Sequence, residues 1–233
     1  MKVSNEELTK KYQKKTDKQH ILDNPDTYIG SIENVLSNAY IYNQNENKII
    51  DKEISYIPGL YKLFDEGIVN CRDHVIRMNQ TINNKNEDSI NYPVSTINVT
   101  IEDDGTISFY NDGNGIDILI HPEFKVWIPE LIFGHLRTST NYVKEDKKIV
   151  GGKNGFGFKL VLIWSTWGKI ETVDHKTGKK YIQEFKDNLN IIEEPKITKC
   201  KSKPYTCVTF KPDYKRLGID NIDENFKSLL LKR

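Results

Sequence analysis

A carboxylate and a carboxamide stand one helical turn apart in the most regular segment of the chain. Glu66 and Asn70 are four residues apart, and Asp73 follows three residues later. At about 100° per residue, these three side chains share one sector of a helix. A carboxylate can take a proton from water as a general base, and an amide oxygen is a hard ligand suited to Mg²⁺. An ordinary solvated face has the same composition, and for this pair in isolation that interpretation is the stronger one.

Two glycine-bearing segments can bring the backbone close to a ligand. Residues 111–116 read Asn-Asp-Gly-Asn-Gly-Ile and directly follow a predicted strand. Their polar side chains can read the edge of a base, although ordinary turns have the same composition. Residues 151–159 read Gly-Gly-Lys-Asn-Gly-Phe-Gly-Phe-Lys before a predicted helix, where successive N–H groups can bind an anion. The segment matches neither a P-loop nor a dinucleotide-binding fingerprint.

A short run of hydroxyl and amide side chains lies between these two segments. Residues 137–141 read Arg-Thr-Ser-Thr-Asn. These groups can bond phosphate oxygens or a ribose, and they can equally cap a helix. Taken alone, the run favours capping.

The bulk properties narrow the class of protein. The chain has 233 residues, 37% apolar and 29% charged, with a net charge of +1, which suits one large domain or two small ones. This balance gives no basic footprint that would make the chain the main surface for gripping DNA. The three cysteines form neither a zinc pattern nor a disulfide framework, which indicates a reducing compartment. Because the chain has neither a long apolar run nor a signal-peptide pattern, we expect an intracellular protein without a membrane partner.

The elements that must position these groups begin with a long helix after Pro58. Its apolar residues recur at three- and four-residue steps, the period of an amphipathic helix. They are Leu60, Leu63, Phe64, Ile68, Cys71, Val75 and Met78. Glu66 and Asn70 fall roughly opposite this stripe, so the helix would present both side chains to one space.

Strand and turn patterns fill most of the remaining chain. Two strands joined by an Asn-rich turn are predicted over residues 32–54, and Asp103-Asp104-Gly105 predicts a hairpin turn. The other predicted strands are 94–101, 106–110, 168–175, 179–187, 190–196 and 205–211, the other helices are 159–164 and 222–231, and 79–91 is predicted to be a loop. Early helices followed by a run of antiparallel strands indicate an α+β sandwich.

Four motifs, taken together and in this order, resemble the GHKL ATPase family. They are Glu66 with Asn70, and residues 111–116, 137–141 and 151–159. The family includes type II topoisomerases, Hsp90-like chaperones, MutL-type repair proteins and sensor histidine kinases. Further segments resemble its eukaryotic-type topoisomerase II branch. They are Tyr12-Gln13-Lys14-Lys15-Thr16, His20-Ile21-Leu22, Pro25-Asp26-Thr27-Tyr28-Ile29-Gly30-Ser31, Pro58-Gly59-Leu60-Tyr61-Lys62-Leu63-Phe64-Asp65-Glu66 and Pro129-Glu130-Leu131-Ile132-Phe133-Gly134. The resemblance covers nearly the whole chain from about Tyr12 onward. It implies the Bergerat fold, a mixed but mostly antiparallel sheet with helices on one face.

The resemblance implies a role for each residue that matches the family's motifs. Glu66 would activate the attacking water, and Asn70 would hold Mg²⁺. Asn111 would read the adenine amino group of ATP, with Thr206 nearby on a later strand. The remaining expected nucleotide contacts are Ser139, Thr140 and Asn141 for ribose and phosphate, Gly152, Lys153, Asn154, Gly155, Phe156, Gly157, Phe158 and Lys159 in a lid, and Tyr12 from an arm that crosses to the nucleotide of a second copy.

The resemblance also implies a domain layout and partners. Residues 1–19 would form an N-terminal arm, and residues 20–233 would form one GHKL ATP-binding domain. Binding of ATP would close a homodimer gate and drive one DNA duplex through another in the full enzyme. The transducer domain, with its lysine to the γ-phosphate, and the DNA-cleavage core are expected to be absent, so weak turnover and weak or no DNA contact are expected of this chain alone. The expected location is the nucleus, or the cytoplasm or nucleus of a host cell for a viral protein.

Two positions depart from the family pattern. Gly67 stands where relatives usually have an apolar residue, and glycine inside a helix costs about 1 kcal/mol relative to alanine. His74 stands where relatives often have asparagine, and as a lone histidine it is expected to be structural. Two alternative functions stay open, namely another GHKL ATPase and a nucleotide-sensing dimerisation module without turnover.

Overall fold

Nine strands and six helices form the part of the chain that the structure describes. The computed structural model covers residues 15–83, 90–136 and 157–233. The helices are α1 (Asp17–Asp23), α2 (Pro25–Tyr28), α3 (Pro58–Asn83), α4 (Ile128–Gly134), α5 (Gly157–Ile163) and α6 (Glu224–Lys232). The strands are β1 (Val35–Asn43), β2 (Lys48–Tyr56), β3 (Ile97–Ile101), β4 (Ile107–Asp112), β5 (Ser165–Asp174), β6 (Lys179–Lys186), β7 (Ile191–Ile192), β8 (Lys196–Lys199) and β9 (Tyr205–Pro212).

The larger sheet has seven strands, and its order places the last strand in the middle. The order is β3-β4-β9-β5-β6-β7, and β8 pairs with β6 outside that path. β1 and β2 form a separate two-stranded sheet. Every pairing between the described strands is antiparallel. The predicted α+β architecture, an antiparallel sheet with helices, is confirmed.

The β3–β4 hairpin has the turn that its sequence predicts. Gly105 adopts a φ of +80°, a conformation that favours glycine. Asp104 Oδ1 accepts a hydrogen bond from the backbone N–H of Thr106 at 3.0 Å. The Tyr214 hydroxyl donates to the Gly105 carbonyl at 2.6 Å. The turn is therefore fixed both by its own residues and by the loop that follows β9.

Five phenylalanines join the helices to the centre of the sheet. The ring of Phe64 on α3 lies 5.2 Å from that of Phe109 on β4, and Phe109 lies 6.2 Å from Phe210 on β9. Phe158 of α5 meets Phe210 at 5.7 Å and Phe133 of α4 at 5.9 Å, both edge-on. All five side chains are buried, and burying one stabilises the fold by about 1.5–3 kcal/mol. This cluster holds α3, α4 and α5 over β4 and β9.

The long helix α3 buries a different stripe from the one predicted. Gly67 is buried, whereas Ile68 and Val75 are only half-buried. A side-chain carbon on Gly67 would lie 2.2 Å from the ring of Phe109. Glycine at this position therefore lets the helix approach β4 closely, and this contact offsets its poor helix propensity.

The structure buries Asp73, unlike the two residues with which the sequence groups it. Asn70 is exposed and Glu66 is half-buried, but Asp73 is only 4% exposed. Asp73 Oδ1 lies 3.3 Å from the guanidinium of Arg72. Asp73 keeps its place in the helical sector of Glu66 and Asn70, but packing buries it, so it does not belong to a solvated polar face.

Two boundaries on the way to the site also differ from prediction. α3 continues to Asn83, into residues 79–91 that were predicted to be a loop, and buried Met78 anchors its last turns. The strand predicted over 190–196 is two short pieces, β7 and β8. Pro195 lies between them, and proline cannot donate to a sheet ladder.

The β1–β2 hairpin and α6 form a second layer at the start of α3. α6 packs against both strands through the buried residues Phe226, Leu229 and Leu230. The N–H of Gly59 donates to the carbonyl of Ser31 at 2.8 Å. The first turn of α3 is thus held by the segment that precedes β1.

The described ranges lack two kinds of feature. No helix within residues 15–83, 90–136 and 157–233 combines the length and apolar character needed to cross a bilayer. In the same ranges, no cluster of three or more His, Cys, Asp or Glu side chains could hold a metal ion. The cysteines Cys71, Cys200 and Cys207 are all free thiols, as their spacing predicts.

Candidate functional site

Glu66 and Asn70 lie one turn apart on α3 and are linked through the backbone. Asn70 Nδ2 donates to the Glu66 carbonyl at 2.7 Å, which leaves Asn70 Oδ1 for a ligand. The Glu66 side chain is 18% exposed, and its Oε1 lies 2.6 Å from the ammonium of Lys62. The helix therefore offers an oriented carboxylate and a carboxamide oxygen at neighbouring positions.

The start of α5 faces the second oxygen of Glu66. A side-chain carbon on Gly157 would lie 3.8 Å from Glu66 Oε2. Gly157 has a φ of +23°, and the next residue, Phe158, is buried in the aromatic cluster. The end of the glycine-rich segment and the carboxylate therefore border the same space.

A row of three polar residues crosses the central strands at one level. Asn111 of β4 is paired in register with Thr206 of β9, which is paired with Thr172 of β5. The hydroxyls of Thr206 and Thr172 are 3.0 Å apart, and Thr172 is fully buried. Asn111 Nδ2 donates to the Asp112 carbonyl at 2.9 Å. This bond leaves Asn111 Oδ1 as an acceptor, the polarity that an exocyclic amino group requires.

The loop after β4 is bound tightly to β5. The N–H of Ile116 donates to Thr172 Oγ1 at 3.0 Å, and that hydroxyl also reaches the Tyr205 carbonyl at 3.0 Å. A side-chain carbon on Gly115 would lie only 1.9 Å from the carbonyl oxygen of Val173. The second glycine of the segment is therefore required by a close approach to the backbone of β5, whereas the sequence predicted an approach to a ligand.

Lys159 is a buried lysine on α5, two residues after Gly157. Its side chain is 5% exposed. Burial lowers the pKa of Lys159 from its ordinary value of 10.5 to about 8. A lysine with this pKa changes charge within the range in which enzymes work, so a neighbouring anion would favour its protonated form.

His74 connects α3 to the loop after β4. A side-chain carbon on Gly113 would lie 3.2 Å from His74 Nε2, which is buried and has no hydrogen-bond partner among the described residues. Burial, and then the charge of Arg77, lower the pKa of His74 to about 4, against the opposing effect of the Asn114 backbone. His74 is therefore neutral near pH 7 and packs against the loop.

Seven of the predicted site residues fall in the described ranges, and they form two groups. Glu66, Asn70, Gly157, Phe158 and Lys159 belong to α3 and α5, and Asn111 and Thr206 belong to β4 and β9. The contact of Gly67 with Phe109 joins the groups, because Phe109 is two residues before Asn111. The predicted site residues that lie outside the described residues are Tyr12, Ser139, Thr140, Asn141, Gly152, Lys153, Asn154, Gly155 and Phe156.

Two residues at the site are not among the predicted ones. Thr172 stands inside an ordinary strand pattern, and only the pairing of β5 with β9 brings it beside Thr206. Lys62 precedes Glu66 by four residues. That spacing is the usual one for a helical ion pair, so the sequence carries a signal for Lys62 but none for Thr172.

Comparison with known proteins gives close relatives. No protein-family model matches the chain. The chain is 48% identical over 231 residues to DNA topoisomerase 2 of Acanthamoeba polyphaga mimivirus, covering 97% of this chain and 17% of that protein. The crystal structure of the ATPase region of Saccharomyces cerevisiae topoisomerase II matches with a TM-score of 0.88 and 41% identity, over 96% of this chain and 56% of that one. The ATPase and transducer domains of DNA topoisomerase II from Balamuthia mandrillaris match with a TM-score of 0.86 and 36% identity, over 96% and 55%.

Proposed function

Because the chain belongs to the ATPase regions of the eukaryotic-type DNA topoisomerase II family, we propose that it binds Mg²⁺-ATP and hydrolyses it. One observation carries this proposal, namely the setting of Glu66. Lys62 holds one carboxylate oxygen of Glu66, and the other oxygen faces the start of α5. Asn70 lies one turn further along α3. In-line attack of water on a γ-phosphate needs a general base with a fixed orientation beside the bound phosphates.

The adenine would bind where β4, β9 and β5 end. Asn111 Oδ1 would accept a hydrogen bond from the adenine amino group, with the Thr206 hydroxyl beside it. The row formed with buried Thr172 supports this role, because the hydroxyls of Thr206 and Thr172 are bonded to each other and the Asn111 amide is oriented by the Asp112 carbonyl. A buried polar site of this kind rejects a base that would leave its groups unpaired.

The phosphates would lie between α3 and α5. Water would attack the γ-phosphorus while the bond to the ADP oxygen breaks, and Glu66 would take the proton from that water. Residues 152–159 would close over the phosphates, with Lys159 adding positive charge. Residues 139–141 would bond the ribose and phosphate oxygens. Such a site acts mainly by positioning and by stabilising charge.

Asn70 suits a metal ion that is shared with the nucleotide. Its amide nitrogen is already bonded to Glu66, its oxygen is available, and its side chain is exposed to water. Mg²⁺ commonly takes one or two protein ligands and completes its shell with phosphate oxygens and waters, which fits a site without an acidic cluster among the described residues. When bound, Mg²⁺ offsets the negative charge of the phosphates.

For the longer proteins that the relatives represent, the proposal extends to the whole reaction. The chain spans 17% of the mimivirus protein, so the roles proposed in this paragraph belong to a protein longer than these 233 residues. Residues 20–233 would be the ATP-binding domain, and residues 1–19 an arm whose Tyr12 reaches the nucleotide of a second copy. Closure of this homodimer by ATP would drive the passage of one DNA duplex through another. The protein would work in the nucleus, or in the cytoplasm or nucleus of a host cell if it is viral.

The decisive experiment replaces the general base and measures binding and turnover separately. Glu66→Gln should lower kcat for ATP hydrolysis by about 10²- to 10⁴-fold, because the amide cannot take the proton. Affinity for a non-hydrolysable ATP analogue should stay within about twofold, since the shape is kept. Glu184→Gln, a half-exposed carboxylate on the sheet, is the matched control and should change neither quantity.

The outcome separates this proposal from its alternatives. Parental turnover in Glu66→Gln would remove the general-base assignment. Dimerisation on analogue binding without any hydrolysis, in a protein that includes a transducer domain, would favour a nucleotide-sensing module instead.

A further inference from the structure

A chain of four charged residues runs from the end of α6 to Glu66. Lys62 Nζ lies 2.6 Å from Glu66 Oε1 and 3.9 Å from Asp65 Oδ2. The other oxygen of that aspartate, Oδ1, accepts a hydrogen bond from the Nε of Arg233 at 2.6 Å. The two carboxylates are only 19% and 18% exposed, whereas the lysine is 42% exposed.

The helix geometry places two carboxylates within reach of Lys62. Asp65 and Glu66 follow it by three and four residues, and both spacings bring side chains together on a helix. The 2.6 Å and 3.9 Å separations show that the lysine is bonded to Glu66 and only near Asp65. The ion pair of Arg233 with Asp65 Oδ1 explains this preference, because Asp65 already has a cationic partner.

Arg233 directly follows α6, a helix that apolar contacts hold in place. Phe226, Leu229 and Leu230 of α6 are buried, and α6 packs on the β1–β2 hairpin. The backbone N–H of Arg233 donates to the carbonyl of Leu230 at 3.0 Å. The guanidinium is therefore placed beside Asp65 by α6, which belongs to the layer that contains the β1–β2 hairpin.

We propose that Arg233 is a positioning residue for Glu66 and acts on it through Asp65 and Lys62. By neutralising Asp65, Arg233 leaves Lys62 free to hold Glu66 Oε1, which keeps Oε2 directed toward the start of α5. Without Arg233, Asp65 would compete for Lys62, and Glu66 would lose its fixed orientation. This inference rests on the proposed ATP hydrolysis.

The relay predicts an effect on rate that a structural role would not produce. An ion pair whose arginine is exposed contributes little to folding, so removing Arg233 should leave the fold almost unchanged. Misplacing a catalytic group, by contrast, lowers the rate directly without weakening substrate binding. The expected signature is a lower kcat at constant KM and constant melting temperature.

The test is a double-mutant cycle on ATP turnover, in the longest form of the protein that hydrolyses ATP. Lys62→Met should lower kcat about 20-fold and Arg233→Gln about fivefold, with KM within about twofold in both. Because the arginine acts through the lysine, the double variant should be no slower than Lys62→Met alone. Arg233→Lys should retain most of kcat, since a lysine can also neutralise Asp65.

The matched control is Arg216→Gln, which removes an arginine that pairs with Asp213 at 3.4 Å and touches none of the four residues. It should leave kcat unchanged. A crystal structure of Arg233→Gln gives a readout that does not depend on activity, and in it Lys62 should lie nearer to Asp65 than to Glu66.

Three results would overturn the inference. An unchanged kcat in Arg233→Gln would remove the relay, and additive losses in the double variant would show that Arg233 acts without Lys62. A lowered melting temperature that accounts for the loss would make Arg233 structural. If Glu66→Gln itself retained turnover, the proposed function would fail instead, so the two failures are distinguishable.

Discussion

The two ends of the candidate site lie on different kinds of secondary structure. At the proposed adenine end, Asn111, Thr206 and Thr172 stand on three paired strands, and each side chain is hydrogen-bonded, the two threonines to each other and Asn111 to the Asp112 carbonyl. At the proposed phosphate end, Glu66 and Asn70 project from a helix, and among the described residues no hydrogen bond joins Glu66 Oε2 or Asn70 Oδ1 to another side chain. The proposed adenine end is therefore built into the hydrogen-bonded sheet, whereas the side chains of the proposed phosphate end project from a helix. Substitutions at the first should cost stability, and those at the second should cost function alone.

The largest expected effect is at Gly115. Its added carbon in Gly115→Ala would meet the backbone oxygen of Val173 at 1.9 Å, so β5 or the loop must shift. Overpacking of this kind costs about 3 kcal/mol, which urea unfolding would measure. In the control Gly134→Ala the added carbon meets side chains rather than backbone, Ile192 at 3.2 Å and Phe185 at 3.3 Å, and its change should stay below about 1 kcal/mol. Equal effects in both variants would contradict the rigid adenine end.

Thr172→Val should destabilise the chain by about 1–2 kcal/mol, because the N–H of Ile116 loses its acceptor in a buried place. Affinity for an ATP analogue should fall with it, measured by calorimetry. Thr100→Val, at an exposed position of β3, is the control and should change stability by less than about 0.5 kcal/mol. A stable Thr172→Val variant with normal affinity would break the link between fold and adenine binding.

Lys159 gives the phosphate end a dependence on pH. Burial lowers the pKa of Lys159 to about 8, so the free protein loses this charge as the pH rises through 8. Phosphates favour the charged form, and affinity for an ATP analogue should therefore fall by up to about tenfold per pH unit above 8. Below that pH the affinity should be level.

Lys159→Met is the variant that tests this assignment. It should bind the analogue more weakly and without the decline above pH 8, measured by calorimetry from pH 7 to 9. A decline that persists in Lys159→Met would assign the pH dependence to another group.

The smallest effect on stability is expected at Asn70. Asn70→Ala removes an exposed side chain, so the free energy of unfolding should change by no more than about 0.5 kcal/mol. The same substitution should abolish the Mg²⁺ dependence of analogue binding. Gln80→Ala, an exposed position of the same helix, should alter neither property. A large loss of stability in Asn70→Ala would contradict the division between the two ends.

The sequence predicts those features that depend on local periodicity and turn chemistry. The 3.6-residue period placed Glu66 and Asn70 on one helix, and Asp103-Asp104-Gly105 marked the hairpin correctly. What it missed depends on contacts between distant parts of the chain. Gly67 is explained only by the Phe109 ring, and Asp73 is buried by packing that no local pattern reveals.

The placement of β9 constrains the order in which the chain can fold. β9 pairs with β4 on one side and with β5 on the other, although it follows every other strand of this sheet along the chain. Until residue 212 has left the ribosome, β4 and β5 each present an open edge, and open edges invite pairing with other chains. The sheet can close only in a late step that joins distant segments, and such contacts form slowly. A chain stalled before β9 should therefore aggregate, whereas release of the last strand completes the sheet and both ends of the site together.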